Sequence, residues 1–148
     1  MNRTVSTILT LSAGFLLSTS VLAASLDGTQ WQTIDDKTGE KKAVIQLNEK
    51  GGKVSGKIIK VLNKEKAKAV CTKCPGSLKN QPVEGLQILS GLKADGNNKW
   101  SDGKLVDPES GKIYSGKLTL SDNGQSLNLR GYVGSPLFGR SQTWQRIK

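Results

Sequence analysis

From residue 27 to the end, apolar positions recur at every second residue in short runs separated by polar breaks. That period belongs to strands with one face buried, since a helix repeats at three and four. Residues 41–48 show it cleanly, with Ala43, Ile45 and Leu47 on one face and Val44, Gln46 and Asn48 on the other. Residues 113–120 repeat it, turning Tyr114, Gly116, Leu118 and Leu120 inward. Further strands are predicted over residues 27–34 around Trp31, 53–62, 85–93, 99–106, 125–133 and 139–147. The breaks carry turn chemistry: Asp35-Asp36-Lys37-Thr38-Gly39, Lys50-Gly51-Gly52, Asp95-Gly96-Asn97-Asn98 and Asp107-Pro108-Glu109-Ser110-Gly111. Asn123-Gly124 is the strongest hairpin signal of the chain. The alternation falters near Gly56 and at Asp102-Gly103, where a bulge or bend is expected. Residues 63–69 have helix-friendly composition and predict one or two helical turns, followed by a long loop over 70–84 with both cysteines.

Eight strands joined mostly by tight turns predict an all-β fold, an antiparallel up-and-down meander. Eight such strands close into a barrel wide enough for a packed interior or one small ligand, and closure removes the free edges. The one long excursion, holding the cysteines, follows the third strand. A two-sheet sandwich fits the strand count nearly as well, but it prefers several long crossovers and the chain has one. In a barrel the last strand must pair with the first, which holds Trp31.

The first residues have a different pattern. Arg3 precedes an apolar stretch at 8–17 and a small-residue site at Val21-Leu22-Ala23, so residues 1–23 read as a signal peptide, with cleavage after Ala23 or Ala24. The remainder, 24–148, is about 125 residues, enough for one domain with a single core. No cysteine follows the apolar stretch, and no second run is long enough to span a bilayer. The expected address is the periplasm, for a protein that is not membrane-spanning.

Charge narrows the partners. The chain has 22 basic and 12 acidic groups, formally +10, and of these only Arg3 lies in the leader. Most of the basic groups are scattered lysines that suit a solvated, edge-protecting surface, with attraction to anionic envelope components as the sharper reading. Nucleic acid is not expected, since no aromatic-interleaved basic cluster or zinc module is present. There is no histidine, which removes the commonest metal ligand and general base.

Cys71 and Cys74 form a C-x-x-C, and in an oxidising compartment a disulfide is the default reading. A redox role lacks a βαβ pattern, and two thiolates without histidine leave half a zinc site unfilled. Asp35, Asp36, Asp102 and Asp107 sit beside Gly, Pro or Thr in turn contexts, and no G-x-S-x-G elbow occurs. No enzyme activity and no cofactor are expected.

The arginines stand apart. Beyond the leader only Arg130, Arg140 and Arg146 occur, all in the last two strands. Alternation puts Arg140, Gln142, Trp144 and Arg146 on one face, an arrangement that an apolar core does not want. Arg offers a planar fork and stacks on aromatic rings. Arg146 therefore suits a cap over Trp31 or Trp144 at the closed end, and Arg140 with Gln142 suits a polar-bottomed cavity. Arg130 alternates away from Leu127 and Leu129.

Several motifs together resemble domain-of-unknown-function family 2147 of small secreted bacterial proteins: W-Q-T-I-D-D-K-T-G at 31–39, C-T-K-C-P-G-S-L-K-N-Q-P-V-E-G-L at 71–86, D-P-E-S-G-K-I-Y at 107–114, R-G-Y-V-G at 130–134 and G-R-S-Q-T-W at 139–144. The resemblance implies a lipocalin-like barrel and no established activity. The Gly-x-Trp signature of lipocalins is only approximate, since Gly28 lies three residues before Trp31. The expected function is binding of a small amphipathic or anionic ligand. Apolar walls would come from Ile45, Leu47, Ile88, Leu118 and Trp144, polar anchors from Arg140, Gln142 and Tyr132, with Arg130 and Trp31 as further candidates. The competing reading is an envelope interaction module with a filled barrel that acts through its loops.

Overall fold

The computed structural model describes residues 24–148; the expected signal peptide lies outside them. The strands are β1 (Gln30–Ile34), β2 (Lys41–Lys50), β3 (Lys53–Val61), β4 (Gln87–Ala94), β5 (Lys99–Val106), β6 (Ile113–Leu120), β7 (Ser126–Tyr132) and β8 (Gly139–Arg146). Each pairs antiparallel with the next, and β8 returns to β1, giving a closed eight-stranded barrel. The seam aligns Trp31 with Arg146, Gln32 with Gln145 and Thr33 with Trp144. The sandwich alternative is thereby excluded.

Because the strands run up and down, the start of β1, the end of β8 and the 51–52, 95–98 and 121–125 turns share one end, here the base. The 35–40 turn, the long loop after β3, the 107–112 turn and the 133–138 loop share the other, the mouth. Both expected irregularities are present: β3 shifts register on either side of Gly56, and β5 shifts between Trp100 and Gly103. There Asp102 takes φ 59°. The helical turns expected over residues 63–69 do not form. Asn63 Oδ1 accepts from the amides of Glu65 and Lys66, and this local cap leads into successive turns instead of a helix.

The base is filled. Leu26, Trp31, Ile45, Leu47, Val54, Leu89, Leu92, Leu118, Leu127 and Trp144 are each 1% exposed or less. Glycine makes room for this packing at two inward positions. A Cβ on Gly56 would lie 2.9 Å from Leu47 Cδ2, and one on Gly103 would run into the Leu92 side chain. The space that glycine leaves is therefore occupied by leucine, at the density of a packed interior.

The long loop is pinned by the Cys71–Cys74 disulfide. Both cysteines are buried and belong to the same apolar cluster as the barrel core, with Leu86, Ile88 and Val106. The loop doubles back through a Val70–Pro82 bridge and seats against the 107–112 turn, where Cys71 Sγ lies 3.4 Å from the Pro108 carbonyl. Gly111 (φ 72°) has no room for a side chain, because a Cβ there would strike the Lys73 backbone.

Candidate functional site

Burial of the inward-facing side chains changes along the barrel axis. Toward the base they are sealed, as above. Toward the mouth Ala43, Val61, Leu105, Tyr114, Gly131 and Gln142 are each only partly buried, although Ala43, Val61 and Leu105 still pack on the core. The barrel interior is thus sealed toward the base and partly exposed at the loop end, the cup, where Leu105 leans over Gly131.

β8 supplies the polar side of this cup. Trp144 is the floor, 1% exposed, between Thr33 of β1 and Leu127 of β7. Its Nε1 donates to Gln142 Oε1 at 3.3 Å, which fixes the amide one step nearer the mouth. Arg140 follows, opposite Gly131, and reaches the rim. The sequence reading placed it in a polar-bottomed cavity; instead its side chain is 75% exposed and lies 3.6 Å from Asp36 Oδ2. An exposed pair of that length is weak and screened, so the guanidinium is open to exchange partners.

Three further candidates are placed elsewhere. Tyr132 does not enter the cup. It pairs with Ser115 and Gly139 and, with Leu127, Leu129 and Gly131 inward, falls on the outer face; Tyr114 of β6 is the inward tyrosine. Arg130 is also outside, where its Nε donates to the Pro136 carbonyl at 2.6 Å, one terminal nitrogen to Ser141 Oγ at 3.0 Å, and the other to the Leu137 carbonyl at 3.4 Å. It is a clamp on the 133–138 loop. Trp31 is at the base, fully buried, donating from Nε1 to Thr29 Oγ1 at 2.8 Å, which in turn donates to the Leu26 carbonyl. The guanidinium of Arg146 lies 5.5 Å from the Trp31 ring centroid and donates to the carbonyls of Gly124 and Lys148. That is the cap expected for Arg146, and it keeps both residues away from the cup. Of the expected walls, Ile45, Leu47 and Leu118 are core floor, and Ile88 is buried in the cluster that includes the cysteines.

An ion-paired chain braces the mouth. Lys42 Nζ lies 2.9 Å from Asp35 Oδ2 and 3.8 Å from Glu109 Oε1, which Lys66 Nζ also approaches at 3.5 Å. The Lys42 hydrogen bond, with the backbone amides of Thr38 and Lys37, holds the Asp35 carboxyl far below the usual carboxylate range. Asp35 likewise raises the Lys42 ammonium against its partial burial, with Glu109 helping. Two clefts lie outside the cup. One of about 300 Å³ touches Ala24, Asp27, Glu49 and Trp100 at the base, and one of about 400 Å³ runs along the long loop by Ser77, Gln81, Glu84 and Gln87. Among the described residues no cluster of three or more His, Cys, Asp or Glu could hold a metal.

The model of the family described as "Uncharacterized protein conserved in bacteria (DUF2147)" matches residues 29–146, which spans the barrel from just before β1 to the last residue of β8. The chain belongs to this family. The family resemblance read from the sequence motifs is therefore confirmed across the whole sheet, both ends of the seam included. No curated protein matches the chain. A solved structure described as protein HP1028 from the human pathogen Helicobacter pylori, belonging to the lipocalin family, is similar at a TM-score of 0.72 and 24% identity, over 85% of each chain. At that identity the likeness establishes the fold, a lipocalin-like barrel. It leaves open what this family member does, since function resides in the site and not in the architecture.

Proposed function

We propose that the protein binds a small amphipathic molecule with an anionic head, held in the cup at the mouth of the barrel. The observation that carries this reading is the gradient of burial: inward side chains are sealed at the base and partly open at the mouth. Such a site is mostly apolar with a few polar groups that fix orientation, the usual build of a ligand pocket. The apolar part would lie over Leu105, Ala43 and Val61. The head would meet Arg140 in exchange for Asp36, within reach of the Gln142 amide and the Tyr114 hydroxyl. The filled floor restricts the ligand to one that sits high, at the rim.

The role is carriage or sensing without catalysis. In support, the chain has no histidine, and the carboxylates of the mouth are engaged as ion-pair partners and turn caps. The leader supports a periplasmic setting.

Native mass spectrometry of protein isolated from its own source should show a bound small molecule. Arg140→Met should then weaken that ligand by about three- to tenfold, the range left to a charge-assisted contact that solvent screens. Its melting temperature should stay within about 2 °C, because an exposed side chain contributes little to stability. Unchanged affinity, or a large loss of stability, would remove Arg140 from the site.

A further inference from the structure

The 133–138 loop displays apolar side chains instead of hiding them. Val133, Leu137 and Phe138 are 69%, 83% and 85% exposed. Their exposure is built into the backbone. Ser135 caps the short 3₁₀ turn Pro136–Phe138 by accepting from the Leu137 amide, and Arg130 grips the Pro136 and Leu137 carbonyls from below. A loop held on both sides pays little further entropy when its tip is covered.

Below this tip the outer wall is basic: Arg130 on β7 and Lys117 on β6 alternate outward, Lys104 follows on β5 in the row of Ser115 and Tyr132, and among the described residues β6 and β7 carry no acid. Lys117 and Arg130 are direct cross-strand partners, and among the described residues neither has an acidic partner within ion-pair distance. Like charges directly opposite one another are destabilising in a sheet, a cost that an external anion would relieve.

We infer that the 133–138 tip and the basic wall of β5 to β7 form a docking surface for an anionic lipid bilayer. Leu137 and Phe138 enter the headgroup–acyl boundary, and Lys104, Lys117 and Arg130 meet lipid phosphates. This pairing of exposed apolar and basic groups is how peripheral proteins lie on membranes. A second copy of the chain fits less well. Three side chains on a convex tip offer on the order of a few hundred Å², short of the roughly 800 Å² per partner of a stable interface, and two positive walls repel. The inference stands independently of the cup, which uses none of these residues.

The test uses the chain from Ala24 onward, which closes its own barrel and buries its own core, with vesicles of phosphatidylcholine containing 30% phosphatidylglycerol as in common flotation assays. Phe138→Trp supplies the reporter, because the native Trp31, Trp100 and Trp144 are 0%, 4% and 1% exposed and should not respond. Its emission should shift to the blue on these vesicles and not on pure phosphatidylcholine, and the shift should weaken as salt is raised. Flotation of Leu137→Ser/Phe138→Ser and of Lys104→Gln/Lys117→Gln should show binding at least tenfold weaker, with no fall in melting temperature. No blue shift, or equal binding to neutral vesicles, overturns the inference. Binding kept by the serine pair but competed by soluble polyphosphate overturns it in favour of an anionic polymer. Self-association lost in the serine pair, without vesicle binding, overturns it in favour of a second copy.

Discussion

Trp31 shows how much one side chain can hold. Its ring is sealed at the base, its nitrogen is satisfied through Thr29, and Arg146 covers its face while tying the 121–125 turn and the C-terminus to it. Trp31→Ala would empty a large volume that the closed sheet cannot collapse, and would leave Arg146 without its ring. The expected cost is about 3–5 kcal/mol, read as a lowered urea midpoint at unchanged slope. A midpoint shift worth less than about 1 kcal/mol would mean that the base is not packed as described. At this scale the sequence was legible wherever alternation decided the matter: Leu118, Leu120, Leu127, Leu129 and Trp144 are inward as the period requires. Tyr132 was misplaced although the same count, carried on from Leu129 through Gly131, turns it outward. Arg140 lies in solvent, not in shelter, for another reason. Period gives the face of a residue but not its height in the barrel, and at the rim an inward position is already in solvent.

Among the elements, the strands were far easier to foresee than the loops. β5 and β6 occupy the predicted residues 99–106 and 113–120, because each is bounded by strong turn chemistry. The packing of the long loop on the 107–112 turn has no periodic signal, since it rests on a disulfide, a glycine without room for a Cβ, and ion pairs between distant segments. The cysteines should be oxidised to one another, so thiol titration of denatured, unreduced protein should find no free thiol. Replacing both by serine should cost about 2 kcal/mol, the chain-entropy value for so short a loop, with zinc content unaffected. Asp35 and Lys42 join the 35–40 turn to the same assembly, and their titrations run in opposite senses. The Asp35 contribution is present above the ordinary carboxylate value of 3.8 and is lost as pH falls through its depressed native value. The Lys42 contribution is present below 10.5 and is lost as pH rises through its elevated native value. Stability from this pair is therefore level across neutral pH. An NMR titration should place the Asp35 midpoint below 3.8, and Lys42→Met should move it upward; a midpoint that does not move would assign the depression to the backbone amides alone.

For the molecule as a whole, binary pattern and turn spacing made the barrel legible, but they left its contents undecided. Whether eight strands enclose a cavity depends on which inward positions are glycine and which neighbours lean into them, as Leu47 does at Gly56 and Leu92 at Gly103. Those contacts join residues on adjacent strands, and only the register sets them. The result is a barrel sealed at one end and partly exposed at the other, with the loops of the exposed end braced and one of them tipped with apolar side chains. The seam adds a constraint of a different kind, one of timing. β1, the first strand of the barrel, finds its second partner only in β8, the last. Until β8 is in place, Trp31 has no lid from Arg146 and the sheet keeps two open edges. A barrel that must join its first strand to its last is governed by its most distant contacts, and these slow its folding.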